Sequence, residues 1–231
     1  MALLGKAALA MWWDMAPAMK SEFEDWHTHE HFPERLSVPG FLRSSRWTDA
    51  HGGPGVFVIY ELDSHGVLSS PAYLARLNDP TPWSRKLMPY HDGMVRSQSH
   101  TLITRGDITG RYAVTLRLDL QNPEALADLR DGLQDTLIRL PEHAGIIGAH
   151  LLAHETPAIA RTTEQVIRGT PDRTADVVVV LVGYEQAPLH AALARDLSEA
   201  TLRSLGALGS VQTGTYSLSH SALSESALPP G

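Results

Sequence analysis

Pro39-Gly40-Phe41 and Ala144-Gly145-Ile146 stand 105 residues apart, and each ends a helical pattern and opens a strand pattern. A second pair, Ser70-Pro71-Ala72-Tyr73 and Ala187-Pro188-Leu189-His190, stands 117 residues apart, and each opens a helix behind a strongly apolar strand. A lone pair of matching glycines carries little weight. Element order, segment length and turn position agreeing together mark two similar halves in one chain.

Working outward from Pro39-Gly40, Gly5–Trp13 is apolar and aromatic enough for a strand, and Asp14 to Pro17 is turn and helix-start chemistry. Residues 17 to 37 read as a helix, stopped by Pro39-Gly40. Phe41–Trp47 is a second strand, His51-Gly-Gly-Pro-Gly55 a turn, and Val56–Leu62 a third strand with an almost unbroken apolar run. Pro71–Leu77 and Pro82–Arg96 read as helical, and His100–Thr104 closes the half as a fourth strand. The second half repeats the order: strand Arg111–Leu118, helix from Asn122-Pro123 to about Leu140, strand Gly145–His154, a long polar connection around Thr162–Thr174, strand Asp176–Tyr184, helix Pro188–Leu205 and strand Ser210–Ser219.

A four-stranded antiparallel sheet with two helices on one face leaves its other face bare and apolar, and two such sheets in one chain cover each other. The expected fold is therefore α+β: two ferredoxin-like βαββαβ repeats forming an intramolecular dimeric α/β barrel. Residues 1–108 make the first half, which carries the candidate site. Residues 109–221 make the second half, a structural partner, and 222–231, rich in Ser, Ala and Pro, a flexible tail.

Composition narrows the function. The chain has 231 residues, 43% hydrophobic and 19% charged, in the ordinary globular range. Its net charge of −7, with no stripe of Lys and Arg, argues against a nucleic-acid partner. The absence of cysteine excludes disulfides, thiolate nucleophiles and Cys-ligated metals, and fits a reducing compartment. Leu3–Trp13 is short, carries Lys6 and leads to no small-residue cleavage site, and no apolar run reaches the roughly 20 residues of a membrane span. The expectation is a cytoplasmic protein with no membrane partner.

Phe23-Glu-Asp-Trp-His-Thr-His-Glu-His-Phe-Pro-Glu-Arg-Leu-Ser-Val-Pro-Gly-Phe41 is the most unusual segment, with three histidines inside three turns of helix. His27 and His31, four apart, share a helix face, and His29 points away. With Glu30 the stretch also satisfies the HxxEH pattern of inverzincin peptidases, but those enzymes are longer and require a further downstream carboxylate, so no metal is assigned. A simpler metal site made from His27, His31 and a distant acid stays open, as does a bland reading in which the histidines are solvated or satisfied in the core.

The segment resembles the first helix of EthD-like proteins, a branch of the dimeric α/β barrel superfamily: Phe23, Trp26 one turn on, His31 eight residues after the Phe, Pro33 two beyond the His, and Pro39-Gly40 eight and nine beyond it. The motif covers about 20 residues, and the element order extends the likeness over residues 1 to 106. The resemblance implies a pocket between helices and sheet, with His31 as a general acid/base; His27 and Glu30, its neighbours on the helix, are expected to tune or orient it. It implies proton transfer of the isomerase, cyclase or lyase type on a small apolar carbonyl or aromatic compound. The alternative is a non-catalytic protein that holds a hydrophobic ligand or haem in the same pocket.

Aligning Gly40 with Gly145 sets Thr136 opposite His31 and Gly132 opposite His27, so the second half lacks the histidines and one site per chain is expected. Trp26, Tyr60, Arg43, Trp83 and Tyr90 are candidate substrate-binding residues, with His91 beside the last two. Tyr60 and Glu61 lie on opposite sides of their strand, so one of them faces the helices. No cofactor is required, and the expected partner is a small hydrophobic or aromatic ligand. The EthD-like modules usually pair as homodimers; here the second half fills that role, and a homodimer of the whole chain remains compatible.

Overall fold

Gly40 (φ 92°) and Gly145 (φ 89°) turn the chain from helix into strand at matching places in the two halves. A Cβ at Gly40 would lie 2.4 Å from Val67 Cγ2, and one at Gly145 would lie 2.3 Å from Pro188 Cγ, so both the left-handed backbone and the close approach call for glycine. In this computed structural model, which describes residues 2–169 and 171–227, these turns connect two βαββαβ modules. The first comprises β1 (Ala7–Met15), α1 (Lys20–Trp26), α2 (Phe32–Leu36), β2 (Phe41–Asp49), β3 (Gly55–Leu62), α3 (Pro71–Asn78), α4 (Pro82–Leu87) and β4 (His91–Gly106). The second comprises β5 (Tyr112–Leu120), α5 (Ala125–Arg139), β6 (Ile146–His154), α6 (Thr163–Arg168), β7 (Val177–Gly183), α7 (Gln186–Asp196), α8 (Glu199–Ser204) and β8 (Ala207–Leu223).

The eight strands close into one antiparallel barrel in the order β1-β3-β2-β8-β5-β7-β6-β4. Each half contributes its fourth, first, third and second strands in that order, and the halves join through β2–β8 and β4–β6. The two seams are equivalent: Ser99 pairs with His154 in one and Tyr216 with Asp49 in the other, related by the same offsets of 117 and 105 that relate the sequence matches. A bulge follows the glycine in both copies, between Phe41 and Arg43 and between Ile146 and Gly148. The expected dimeric α/β barrel of two tandem modules is thus what the chain forms, with no sheet edge left open.

Strand alternation sorts the side chains into three cores. Leu9, Met11 and Trp13 of β1 and Val56, Val58, Tyr60 and Leu62 of β3 face the helices of the first module. Ala8, Ala10 and Trp12 with Phe57 and Ile59 fill the barrel interior, where they meet Val178, Val180 and Val182 of the second module. The third core, under α5 and α7, is almost wholly aliphatic, built on Leu129, Leu133, Leu137 and Leu189. Gly132, opposite His27 in the repeat, has a packing reason of its own, since a Cβ there would lie 2.5 Å from Leu205.

Several expectations need correction. The helix expected over Pro82–Arg96 ends at Leu87, and β4 begins at His91 rather than His100. Pro89 removes an amide the helix would need, and Gly93 takes a φ of 64°, while Met11, Trp12 and Met15 of β1 supply the pairing that makes this stretch a strand. The polar connection of the second half contains a short helix, α6, and the helix expected over Pro188–Leu205 is broken in two where Ser198 caps α8. The last strand runs past the boundary expected at residue 222: Ala222 and Leu223 pair with Ser44 and Arg43, and Ser224 is buried. Residues 228–231 of that tail lie outside the described residues.

Candidate functional site

Pro33 shapes the histidine helix. It has no amide to donate back to His29, and its ring crowds that carbonyl, so a regular α-turn fails at this point. The helix widens instead into a π-turn over His27–His31, in which the Phe32 amide bonds to the His27 carbonyl five residues back. The widened turn sets His27 and His31 with ring centroids 5.4 Å apart, both turned inward, and leaves His29 exposed.

Beneath them lies a cavity of about 30 Å³, room for one or two waters. Its walls are aromatic and thioether-rich: Trp13 and Met11 of β1, Trp26 of α1, Tyr60 of β3 and Met88 and Met94 around the start of β4. Into this wall are set His27, His31 and His91, which are 1%, 8% and 8% exposed. Trp26 lies over His31 at 4.4 Å between centroids, Phe32 covers His27 at 4.3 Å, and Trp13 meets His91 at 5.0 Å.

Burial dominates the electrostatics. It holds His31 well below the ordinary histidine pKa, and Arg35, His27, His91 and Arg168 push the same way. Burial does the same to His27, with Arg46 and His91 next in effect. His91 is brought down to about 4 by burial, against the opposing effect of its bond to Met88. Nδ1 of His91 donates to the Met88 carbonyl at 3.1 Å, so in the neutral ring Nε2 carries the lone pair. All three rings are neutral at pH 7. His27 Nδ1, His31 Nδ1 and the indole Nε1 of Trp13 are buried without a hydrogen-bond partner among the described residues. The carboxylate nearest His31 is that of Glu34, with Oε2 3.6 Å from Nδ1, beyond hydrogen-bond reach.

The second module is more than the structural partner expected of it, because α6 reaches across and lends Glu164 and Arg168 to the cavity wall. Thr162 caps this six-residue helix in a reciprocal box with Gln165. Arg35 of α2 forms a buried ion pair with Glu164, and Arg168 pairs with Asp172 at 2.9 Å. Below lies a smaller cavity of about 20 Å³, which shares His31, Tyr60, Glu164 and Arg168 with the first and adds Arg35, Tyr73 and Arg96.

The structure thus brings together His27, His31, Trp26 and Tyr60, and separates four others expected with them. Glu30 touches neither histidine at hydrogen-bond range; it accepts from Trp26 Nε1 at 3.1 Å and from Thr81, and so acts on the indole that covers His31. Arg43 lies inside the barrel, bound to Glu61 through Nε at 2.5 Å and Nη2 at 2.8 Å. Simple alternation from Phe41 would have turned Arg43 toward the helices, but the bulge between them reverses the parity. Trp83 bonds to Glu22 on the outer side of α1, and Tyr90 is 44% exposed. Sequence reasoning passed over Met11, Trp13, Glu34, Glu164 and Arg168. Trp13 was visible in the alternation of β1, but Glu164 and Arg168 carry no local signal, since their site lies in the other module.

Among the described residues, His65, His100 and Glu155 bring their ligand atoms within 4.8 Å of one another; His27, His31 and Glu30 form no such group. A haem, which needs a flat slot beside an imidazole and a site of several hundred Å³, does not fit among these side chains as they are packed.

No protein-family model matches the sequence, and no curated protein matches it. Solved structures do. An anthrone oxidase-like protein aligns over 100% of this chain and 99% of its own at 13% identity, with a TM-score of 0.66. A putative monooxygenase from Fusobacterium nucleatum subsp. nucleatum aligns over 95% of each chain at 8% identity and TM-score 0.61. Another, from Lactobacillus acidophilus, aligns over 95% of this chain and 97% of its own at 8% identity and TM-score 0.57. At these identities the likeness establishes the fold, a fused α/β barrel of two ferredoxin-like modules. The narrower EthD-like resemblance gains no support from the comparisons. No helix among the described residues is long and apolar enough to cross a membrane.

Proposed function

We propose that the protein is an enzyme that moves a proton on a small, largely apolar carbonyl or aromatic compound, with His31 as the base. The observation that carries this reading is a set of neutral imidazoles, two with an unpartnered ring nitrogen, in an apolar and aromatic cavity. Buried polar atoms without partners are uncommon in folded proteins and cost about 1–3 kcal/mol each, so their concentration here calls for a ligand or water to satisfy them. A neutral imidazole held far from its ordinary pKa is a poor base toward water. It becomes effective toward an acidic C–H whose carbanion charge, left behind as the proton moves to the imidazole, spreads into a carbonyl or ring, and Arg168 in the cavity wall favours that anion. The EthD-like resemblance of Phe23, Trp26, His31, Pro33 and Pro39-Gly40 supports the same residue, and the wording anthrone oxidase-like for one structural neighbour suits an aromatic ligand.

The cavity in its closed form holds one or two waters, so a substrate enters by displacing a wall. The wall that gives is α6, six residues long and joined to the first module through the Arg35–Glu164 pair and the bond from the Thr163 amide to Asn78 Oδ1 at 3.1 Å. His27 and Trp26 hold the His31 ring, and Glu30 fixes Trp26. The test is solvent deuterium incorporation, followed by NMR, across a panel of anthrones, β-diketones and unsaturated lactones. Exchange catalysed by the wild type and lost in His31→Ala supports the reading. Unchanged exchange in His31→Ala refutes the assignment, and ligand binding without any exchange across the panel would favour a binding protein instead.

A further inference from the structure

Outside the histidine cavity, a groove of about 450 Å³ runs along the outer face of β4 under the 155–174 connection. Arg96 and Gln98 form its floor, and Thr156, Arg161 and Gln165 stand along its rim. Arg96 is 5% exposed, yet its side-chain partner among the described residues is a neutral one, the Tyr73 hydroxyl at 2.9 Å. The other buried guanidiniums are provided for: Arg35 holds Glu164, Arg43 holds Glu61, Arg168 holds Asp172, and Arg46 bonds to Glu24 O, Thr28 and Ser219. A buried guanidinium with five donors and no anion is a costly arrangement. Beside it the amide Nε2 of Gln98, in a residue 7% exposed, is buried without a partner among the described residues.

We infer that this groove is a binding site for the carboxylate of a small organic acid. A carboxylate offers two coplanar oxygens, which match the guanidinium fork, and a further lone pair for the Gln98 amide. Arg161, exposed at the rim, adds positive charge at the entrance. The volume fits a single-ring acid. The Thr174 hydroxyl is a further neutral donor in the lining. Asp172, the one carboxylate of the lining, is occupied by Arg168 and Gln165. The inference is independent of whether His31 moves protons, although Arg96 also borders the inner cavity and so sets the acid next to it.

Isothermal titration of the full chain with sodium benzoate, and separately with inorganic phosphate, tests the site. Benzoate is expected to bind saturably, with an affinity that falls as salt rises, and Arg96→Gln should weaken it at least about ten-fold. Gln98→Glu is the variant that guards against misfolding. It supplies Arg96 with a carboxylate, so it should raise the melting temperature while abolishing benzoate binding. His31→Ala should bind benzoate as the wild type does, which separates this site from the proton-transfer reading. Equal benzoate affinity in wild type, Arg96→Gln and Gln98→Glu would overturn the inference. So would phosphate binding without benzoate binding.

Discussion

Glu164→Ala isolates the contact that fastens the second module onto the first module's cavity. Glu164 is 5% exposed and Arg35 2%, and the substitution removes the short partner of a buried guanidinium, leaving it only the longer contact to Glu34 at 3.5 Å. Breaking a buried pair by removing one partner costs about 3–5 kcal/mol, a large share of a total stability of about 5–15 kcal/mol. With a urea m-value of roughly 2.5 kcal/mol/M for a domain of this size, the midpoint should fall by roughly 1–2 M. The double variant Arg35→Met/Glu164→Ala should recover much of the loss, because an apolar side chain no longer demands an anion. Equilibrium urea unfolding of the four proteins in the cycle measures both effects. A single-variant shift below about 0.3 M, or a double variant no more stable than Glu164→Ala, would refute the claim that α6 is fastened by this pair.

Arg43→Met strands Glu61, whose carboxyl burial already holds above the ordinary range, and should cost about 3–5 kcal/mol in urea unfolding while leaving the histidine cavity intact. Gly145→Ala forces a left-handed φ of 89° on a Cβ that meets Pro188 at 2.3 Å, and should cost at least about 2 kcal/mol in the same assay. Stability should decline on acidification. His91 has a folded pKa of about 4 against 6.5 unfolded, so the unfolded chain takes up the proton first and stability present above pH 6.5 is lost as pH falls toward 4, by roughly 3 kcal/mol for this residue alone. A melting temperature flat between pH 7 and 4.5 would contradict it.

Much of the architecture was written locally. The glycines at 40 and 145, the prolines at 71 and 188 and the alternation of β1 and β3 announce themselves in the sequence, because each reports on its own backbone. The same holds for His27, His31, Trp26 and Tyr60, which need only helix spacing or strand parity to find one pocket. What escaped reading depends on partners distant in sequence. The parity of Arg43 turns on a bulge, the strand character of 91–99 on pairing with β1, and the place of Glu164 and Arg168 on a connection that crosses from one module to the other. Tyr90 and Trp83 were drawn into the pocket by a helix that in fact ends at Leu87.

The account centres on a cavity whose imidazoles are buried and uncharged at neutral pH. Nitrogen-15 NMR of the histidine side chains, followed from pH 8 downward, reads that state directly. His27, His31 and His91 are expected to keep the signature of a neutral ring through pH 6.5, with His91 protonating only near 4. A protonation midpoint at or above 6.5 for His27 or His31 would mean that these rings face water, and the site proposed here would not exist.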